Sequence, residues 1–273
     1  DVKASEMSEI PNIPTPKAPT VLCFSAHDAT GASGMAADIE SIVSQGCHAN
    51  TVITCLTVQD SQMVSRLIPI DDDIIVQSAR AVLEDTPVDA IKIGLIGSDE
   101  GVQAVHGILL DYPDIPVVFD PMLIGSNGMA LADDDVVESI RELLIHHADI
   151  MTLSPAEAGL LIPEADNLAA MMTGLMDKGC EHVLLSGRRE SGASVINSLY
   201  HNYRVIEQFE WPRLEHDFYG AGCTLSSSLA ALLAQGLDYL SASREAQNYC
   251  WQSLKHGARY GMGQYQPSRL YWM

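Results

Sequence analysis

The chain has 273 residues and a formal net charge of −21, with 47% hydrophobic residues and a mean hydropathy of +0.08. That apolar share builds a packed core and excludes general disorder, and the length suits one large α/β domain. So acidic a chain argues against a nucleic-acid groove or an anionic-lipid surface, yet leaves phosphate compounds open, because N–H groups at a helix start bind anions without net positive charge.

Residues 1–19 carry four prolines, at 11, 14, 16 and 19, and predict an extended or disordered leader ahead of a single domain over 20–273. A buried strand is expected at 20–26, a helix over 33–46 ending at a C-cap glycine, and a β-branched strand at 50–58. The run 71–83 predicts a helix whose three opening aspartates suit its dipole. Strands follow at 89–96, 115–121, 149–154 and 182–187, with helices over 99–110, 133–147 and 167–179. The segments 194–200 and 203–211 read as an antiparallel hairpin over His201–Asn202, and helices are expected over 223–235 and 242–260. Strands alternating with helices imply a mostly parallel sheet covered on both faces, with the hairpin at one edge. In such a fold the chemistry lies beyond the carboxyl ends of the strands.

No run of eighteen apolar residues is present, so no membrane span is expected. The start carries no basic-then-apolar signal pattern. Six cysteines spread without a CxxC pair read as free thiols in a reducing, cytoplasmic setting. The nine histidines form no metal set by spacing, although His146–His147 falls at a helix end, where cations are favoured.

Tyr219-Gly220-Ala221-Gly222-Cys223-Thr224 places small residues where a loop becomes a helix. Successive N–H groups there can hold an anion, and glycine admits close approach of a phosphate. Cys223 falls in the first turn, where the dipole should hold a thiol below its free value of about 8.5. A tight packing turn with a small buried cysteine is the competing reading of this segment taken alone.

With its surroundings, this turn resembles the GTGC turn of the hydroxymethylpyrimidine and phosphomethylpyrimidine kinases of thiamine biosynthesis, a branch of the ribokinase-like superfamily. The likeness runs from about Val21 to about Leu254. Residues 26–38, AHDATGASGMAAD, match GxDPSGGAGIQAD and keep Asp28, Gly31, Gly34 and Asp38. TVITCLTVQD matches SVITALxAQN, KIGLIGS matches KIGML, and FDPMLIGSNG matches DPVMxxxSG. The resemblance implies a three-layer αβα sandwich and phosphorylation of 4-amino-5-hydroxymethyl-2-methylpyrimidine by ATP with Mg2+, with its monophosphate as a further candidate substrate. It also implies a homodimer. Cys223 would be the base, and Gly220, Ala221 and Gly222 would form the anion hole. Asp38 and Gln59 would fix the ring, with Ala26, Leu95 and Met122 around it, and Asp28 would shape the turn. Glu157 and Asp120 would serve the metal.

Departures gather on the nucleotide side. TPNxxEA becomes TLSPAEA, so Ser154 replaces Asn. KGGH becomes Ser186-Gly187-Arg188-Arg189, with Arg188 or Arg189 as substitute cations, and a flap Lys becomes Ser126. Ser154, Ser186, Gly187 and Arg188 are the expected nucleotide contacts. A pyrimidine binder without catalysis, or a kinase for a related ring such as pyridoxal, are the alternatives.

Overall fold

The computed structural model describes residues 17–125, 127–189 and 194–273. Residues 1–16 of the expected leader and Ser126 lie outside the described residues, as do the side chains of Arg188 and Arg189.

The chain opens with β1 (Thr20–Asp28), α1 (Gly34–Ser44), β2 (His48–Gln59), β3 (Val64–Pro69) and α2 (Asp72–Asp85). It continues through β4 (Ala90–Ile93), α3 (Asp99–Asp111), β5 (Val117–Phe119), α4 (Asp134–Ser139) and β6 (Ile150–Leu153). Then come α5 (Pro155–Leu161), α6 (Leu168–Asp177), β7 (His182–Arg189), β8 (Ser194–His201), β9 (Arg204–Pro212), α7 (Ala221–Ala234) and α8 (Tyr239–Lys255).

One sheet runs in the order β3-β2-β1-β4-β5-β6-β7-β8-β9. The six strands from β2 to β7 in that order are parallel, with antiparallel β3 at one edge and β8–β9 at the other. Parallel strands with helices on both faces must be apolar on both sides, and β1 shows it. Leu22 and Phe24 enter a core with α2, α3, α5 and α6, while Val21 and Cys23 enter a second core with α1, α7 and α8. Both sets are fully buried. The fold is therefore the expected αβα sandwich with an antiparallel edge hairpin.

Three elements depart from the expectations. The edge strand β3 is short and half exposed, so its burial signal is weak. The helix α5 is a capping box: Ser154 Oγ accepts from Glu157 N–H, the Glu157 carboxylate accepts from Ser154 N–H, and Pro155 fills the first turn. The helix expected over 133–147 is regular only through Ser139. It widens into a π turn at Ile140–Leu144 and tightens into a 3-10 turn at Ile145–His147. The widening brings Ile140, Leu144 and Ile145 to the core together.

The strand order reverses at β1 and β4, where a crevice opens beyond the carboxyl ends. No helix among the described residues is long and apolar enough to cross a membrane.

Candidate active site

Three cavities share walls along this crevice. The innermost, about 10 Å³, is lined by Ala26, Asp28, Gln59, Leu95, Met122 and Tyr219 among others. The middle one, about 330 Å³, shares Ser33, Met122, Leu131 and Tyr219 with it and adds Asp120, Thr152, Glu157, Ser186 and residues 220–223. The outermost, about 490 Å³, shares Ser154, Phe218, Ala221 and Leu225 with the middle one and runs past Gly187 to Trp211 and Trp251. Together they form one trench.

The start of α7 forms its wall. Gly220 has φ +87, and a Cβ there would stand 1.8 Å from the Ala32 carbonyl oxygen, so only glycine fits. The first intrahelical bond is donated by Thr224 N–H to Gly220 C=O. The N–H groups of Ala221, Gly222 and Cys223 therefore have no acceptor within the helix, and these residues line the trench. Arg269, buried in the C-terminal segment, holds this turn against the first loop. Its Nε donates to Thr224 Oγ1 at 2.9 Å, and its guanidinium donates to the carbonyls of Gly31 and Ala32.

Asp28 shapes that first loop. Its two oxygens accept from the N–H and hydroxyl groups of Thr30 and Ser33 at 2.8–2.9 Å. Gln59 closes the inner cavity from the end of β2, beside Tyr219. Met122 has φ +49, a strained value for a side chain with a Cβ, and lies between the inner and middle cavities. Cys223 Sγ donates to its sulfur at 3.4 Å.

Two expectations are corrected. The Cys223 thiol does not lie below its free value: burial pushes it up to about 12, with Asp38 and Asp120 adding to the rise against Lys92. Desolvation wins because Cys223 is 1% exposed. Asp38 does not line the inner cavity. It is fully buried, accepting from Lys92 Nζ at 3.0 Å and 3.2 Å and from Ser227 Oγ at 2.6 Å.

Lys92 itself was missed by the sequence reading. It is fully buried on β4. Burial works against its charge, but Asp38, with Cys223 and Asp120, outweighs that and holds its pKa above the ordinary value. The available signal was a lysine inside the otherwise apolar run Ala90-Ile91-Lys92-Ile93.

Asp120 follows β5 and accepts from Ser226 Oγ at 2.9 Å. Burial raises it to about 7, opposed by Lys92 and reinforced by Glu157. Glu157 has both oxygens in use: Oε1 accepts from Leu123 N–H, and Oε2 from the N–H and hydroxyl of Ser154. Ser186 Oγ donates to Leu153 C=O at 3.5 Å, and Gly187 N–H donates to Asn197 Oδ1 at 2.8 Å. The Thr152 hydroxyl at the trench floor is buried without a partner.

A model of the phosphomethylpyrimidine kinase family matches residues 28–268. The chain belongs to that family. It is 30% identical over 91% of its length to the thiamine biosynthesis multifunctional protein ThiED of Corynebacterium glutamicum, of which it spans 33%. It is 27% identical over 89% of its length to the hydroxymethylpyrimidine/phosphomethylpyrimidine kinase of Aquifex aeolicus, of which it spans 96%. The chain thus spans a third to about half of the multifunctional relatives and nearly all of a stand-alone family kinase. Among solved structures, an ADP complex of Bacillus subtilis pyridoxal kinase superimposes with a TM-score of 0.84 at 20% identity, over 93% of this chain and 98% of that one. The family and the ribokinase-like fold implied by the sequence are both borne out.

Proposed function

We propose that this phosphomethylpyrimidine kinase family member transfers the γ-phosphoryl group of ATP to the hydroxymethyl oxygen of 4-amino-5-hydroxymethyl-2-methylpyrimidine, and then phosphorylates the monophosphate, as in thiamine biosynthesis. The observation that carries this reading is the trench itself. A narrow inner end lined by Gln59, Ala26, Leu95 and Met122 opens into the middle cavity, where the N–H groups of Ala221, Gly222 and Cys223 have no acceptor within their helix, and the wide outer end passes Ser154 and Gly187. The names of the relatives support the same substrate pair.

In this reading the ring lies toward the Gln59 end, whose amide offers a donor and an acceptor to a ring nitrogen and amino group. ATP lies along the outer cavity with its phosphates toward α7. The three N–H groups receive charge on the transferring oxygens, which is where phosphoryl transfer needs help. Cys223, in its minor thiolate form, takes the hydroxyl proton as the bond to phosphorus forms. Gly222 carries no side chain over these N–H groups, although a Cβ there would make only an ordinary 3.6 Å contact with the Asp120 carboxylate.

Magnesium bound with ATP supplies neutralisation of the phosphate oxygens. The residues fit it: the buried Asp120 carboxylate, crowded by Glu157, gains from a cation, and the unpaired Thr152 hydroxyl lies on the same cavity wall. Asp120 would hold the ion, and Glu157, with both oxygens engaged, would act through water. Arg188 would supply positive charge to the nucleotide in place of the family's lysine. A homodimer is the expected assembly, to be measured by sedimentation.

The test is incubation with MgATP and the hydroxymethylpyrimidine, with pyridoxal in parallel, and detection of phosphorylated product by mass. Product from the pyrimidine that is lost in Cys223→Ala supports the reading. Pyrimidine binding without product at any magnesium level replaces it with a binding protein, and faster turnover of pyridoxal replaces the ring.

A further inference from the structure

Outside the trench, the described residues hold two groups of three close metal-ligand side chains, Glu181–His182–His201 and His106–His146–His147. In the first, the two imidazoles stack 11° from parallel with centroids 4.2 Å apart. Their in-plane lone pairs run side by side and do not converge on one ion. Both Nδ1 atoms are also engaged with backbone carbonyls, of Asp149 and Glu181.

The second group is built differently. His106 comes from α3, and His146 and His147 from the 3-10 turn before β6. Their rings cross at 73°, 56° and 38°. His106 Nδ1 lies 3.0 Å from His147 Nε2, so a single proton bridges two ring nitrogens that face each other. One ligand nitrogen from each ring falls within 4.8 Å of the others. Tetrahedral zinc with Zn–N distances of about 2.0–2.1 Å holds its nitrogens about 3.3 Å apart. An ion in place of the bridging proton therefore needs the closest pair to part by a few tenths of an ångström, those two rings to tilt toward the ion, and the third, exposed ring to rotate. Gly179, at φ +105, leaves room beside that ring, since a Cβ there would come within 2.9 Å of His146 Cβ. His106 and His147 are half-buried and His146 is exposed, which leaves an open side for water as a fourth ligand.

We propose that His106, His146 and His147 form a binding site for a late first-row divalent cation, Zn2+ in the first instance. Three imidazoles are the donor set that such ions take in preference to Mg2+. The six cysteines are buried and do not compete in the folded chain. His146 and His147 stand just before β6, at its amino end, whereas the trench opens at the carboxyl ends. The ion would clamp α3 to the chain entering β6 and act on stability rather than on the chemistry.

The test uses the full chain stripped of metal by a chelator. Co2+ is titrated first, followed by its absorption spectrum, and then Zn2+ by calorimetry. One equivalent of Co2+ with the intense visible bands of a tetrahedral, nitrogen-ligated ion is expected, and Zn2+ should raise the melting temperature without altering kinase turnover. His106→Asn and His146→Asn should each weaken Zn2+ by about 100-fold or more, since losing even an outer partner of a ligand costs about 10–100-fold. His146 is exposed, so its variant keeps the fold, which an unchanged metal-free melt verifies. Weak octahedral bands in the parent chain, or unchanged Zn2+ affinity in both variants, would overturn the site.

Discussion

Lys92 Nζ lies 3.0 Å and 3.2 Å from the two carboxylate oxygens of Asp38, and both side chains are fully buried between β4 and α1. Removing one member of such a pair leaves the other charged and dry, at a cost of about 3–5 kcal/mol. Asp38→Asn should therefore lower the melting temperature sharply. In the folded protein at low temperature, KM for the pyrimidine should stay within about twofold. Thermal melts beside steady-state kinetics decide the matter. An unchanged melt with a raised KM would return Asp38 to the substrate.

Two glycines of one turn should behave in opposite ways. Gly220→Ala puts a Cβ 1.8 Å from the Ala32 carbonyl at a φ of +87, with the Arg269 guanidinium 2.8 Å away on another side. Neither backbone can give way, so a loss of about 3 kcal/mol or more is expected, from strain and from release of the first loop. Gly222 lies inside α7, and its Cβ would make an ordinary 3.6 Å contact with Asp120. Gly222→Ala should keep or gain stability within about 1 kcal/mol, since alanine favours helix. Turnover should fall by about tenfold or more as the methyl group narrows the approach to the N–H groups. Denaturant melts and product assays on the two variants check both halves.

The parts of this site that follow one local rule were legible in the sequence. The glycine turn, the Asp28 loop and the alternation of strands with helices each rest on neighbours in the chain, and the structure has them where they were expected. What was lost depends on partners far away. Asp38 stands in a motif that suggests a ligand contact, yet Lys92, 54 positions on, takes its carboxylate. The Cys223 thiol sits at a helix start, which alone would lower its pKa, but the surrounding layers dry it completely. Arg269 is one basic residue in a polar tail, and nothing local shows that it is 3% exposed and bonded to the α7 turn. The α5 helix is the exception, since Ser154-Pro155-Ala156-Glu157 is a helix start readable from its own residues, although no helix is among the expected elements there.

The charged form of Asp120 destabilises the fold. Its pKa, raised by burial to about 7 from an ordinary value of 3.8, makes the folded state hold a proton that the unfolded chain has released. Between those two values stability falls as pH rises, and above about 7 the full cost is present. Asp120→Asn carries no such charge. Its stabilising effect should be small near pH 4, grow to pH 7 and then level off on the order of 2–4 kcal/mol. The same variant should lose most turnover. Urea melts of both proteins across that pH range give the difference directly, and a gain that is independent of pH would mean that Asp120 is not dried as its surroundings indicate.

Cys223 yields a sharper pH signature. With its thiol pushed up to about 12, the thiolate fraction near pH 7.5 is on the order of 10⁻⁴ or less. A neutral thiol cannot accept a proton, so a base role runs through that minor form. The thiolate fraction grows tenfold for each pH unit below its pKa. Turnover limited by this proton transfer should therefore climb by about tenfold per unit between pH 6.5 and 8.5, with KM little changed. Cys223→Ala removes the group and should leave a flat, low profile over the same range. Alkylation of the parent protein should be slow at pH 7 and follow the same rise with pH, because the thiolate is the nucleophile. A flat profile in the parent protein would instead assign Cys223 to packing against Met122 and to presenting its N–H. The loose transition state of phosphoryl transfer permits that outcome, since it asks for positioning before it asks for a base.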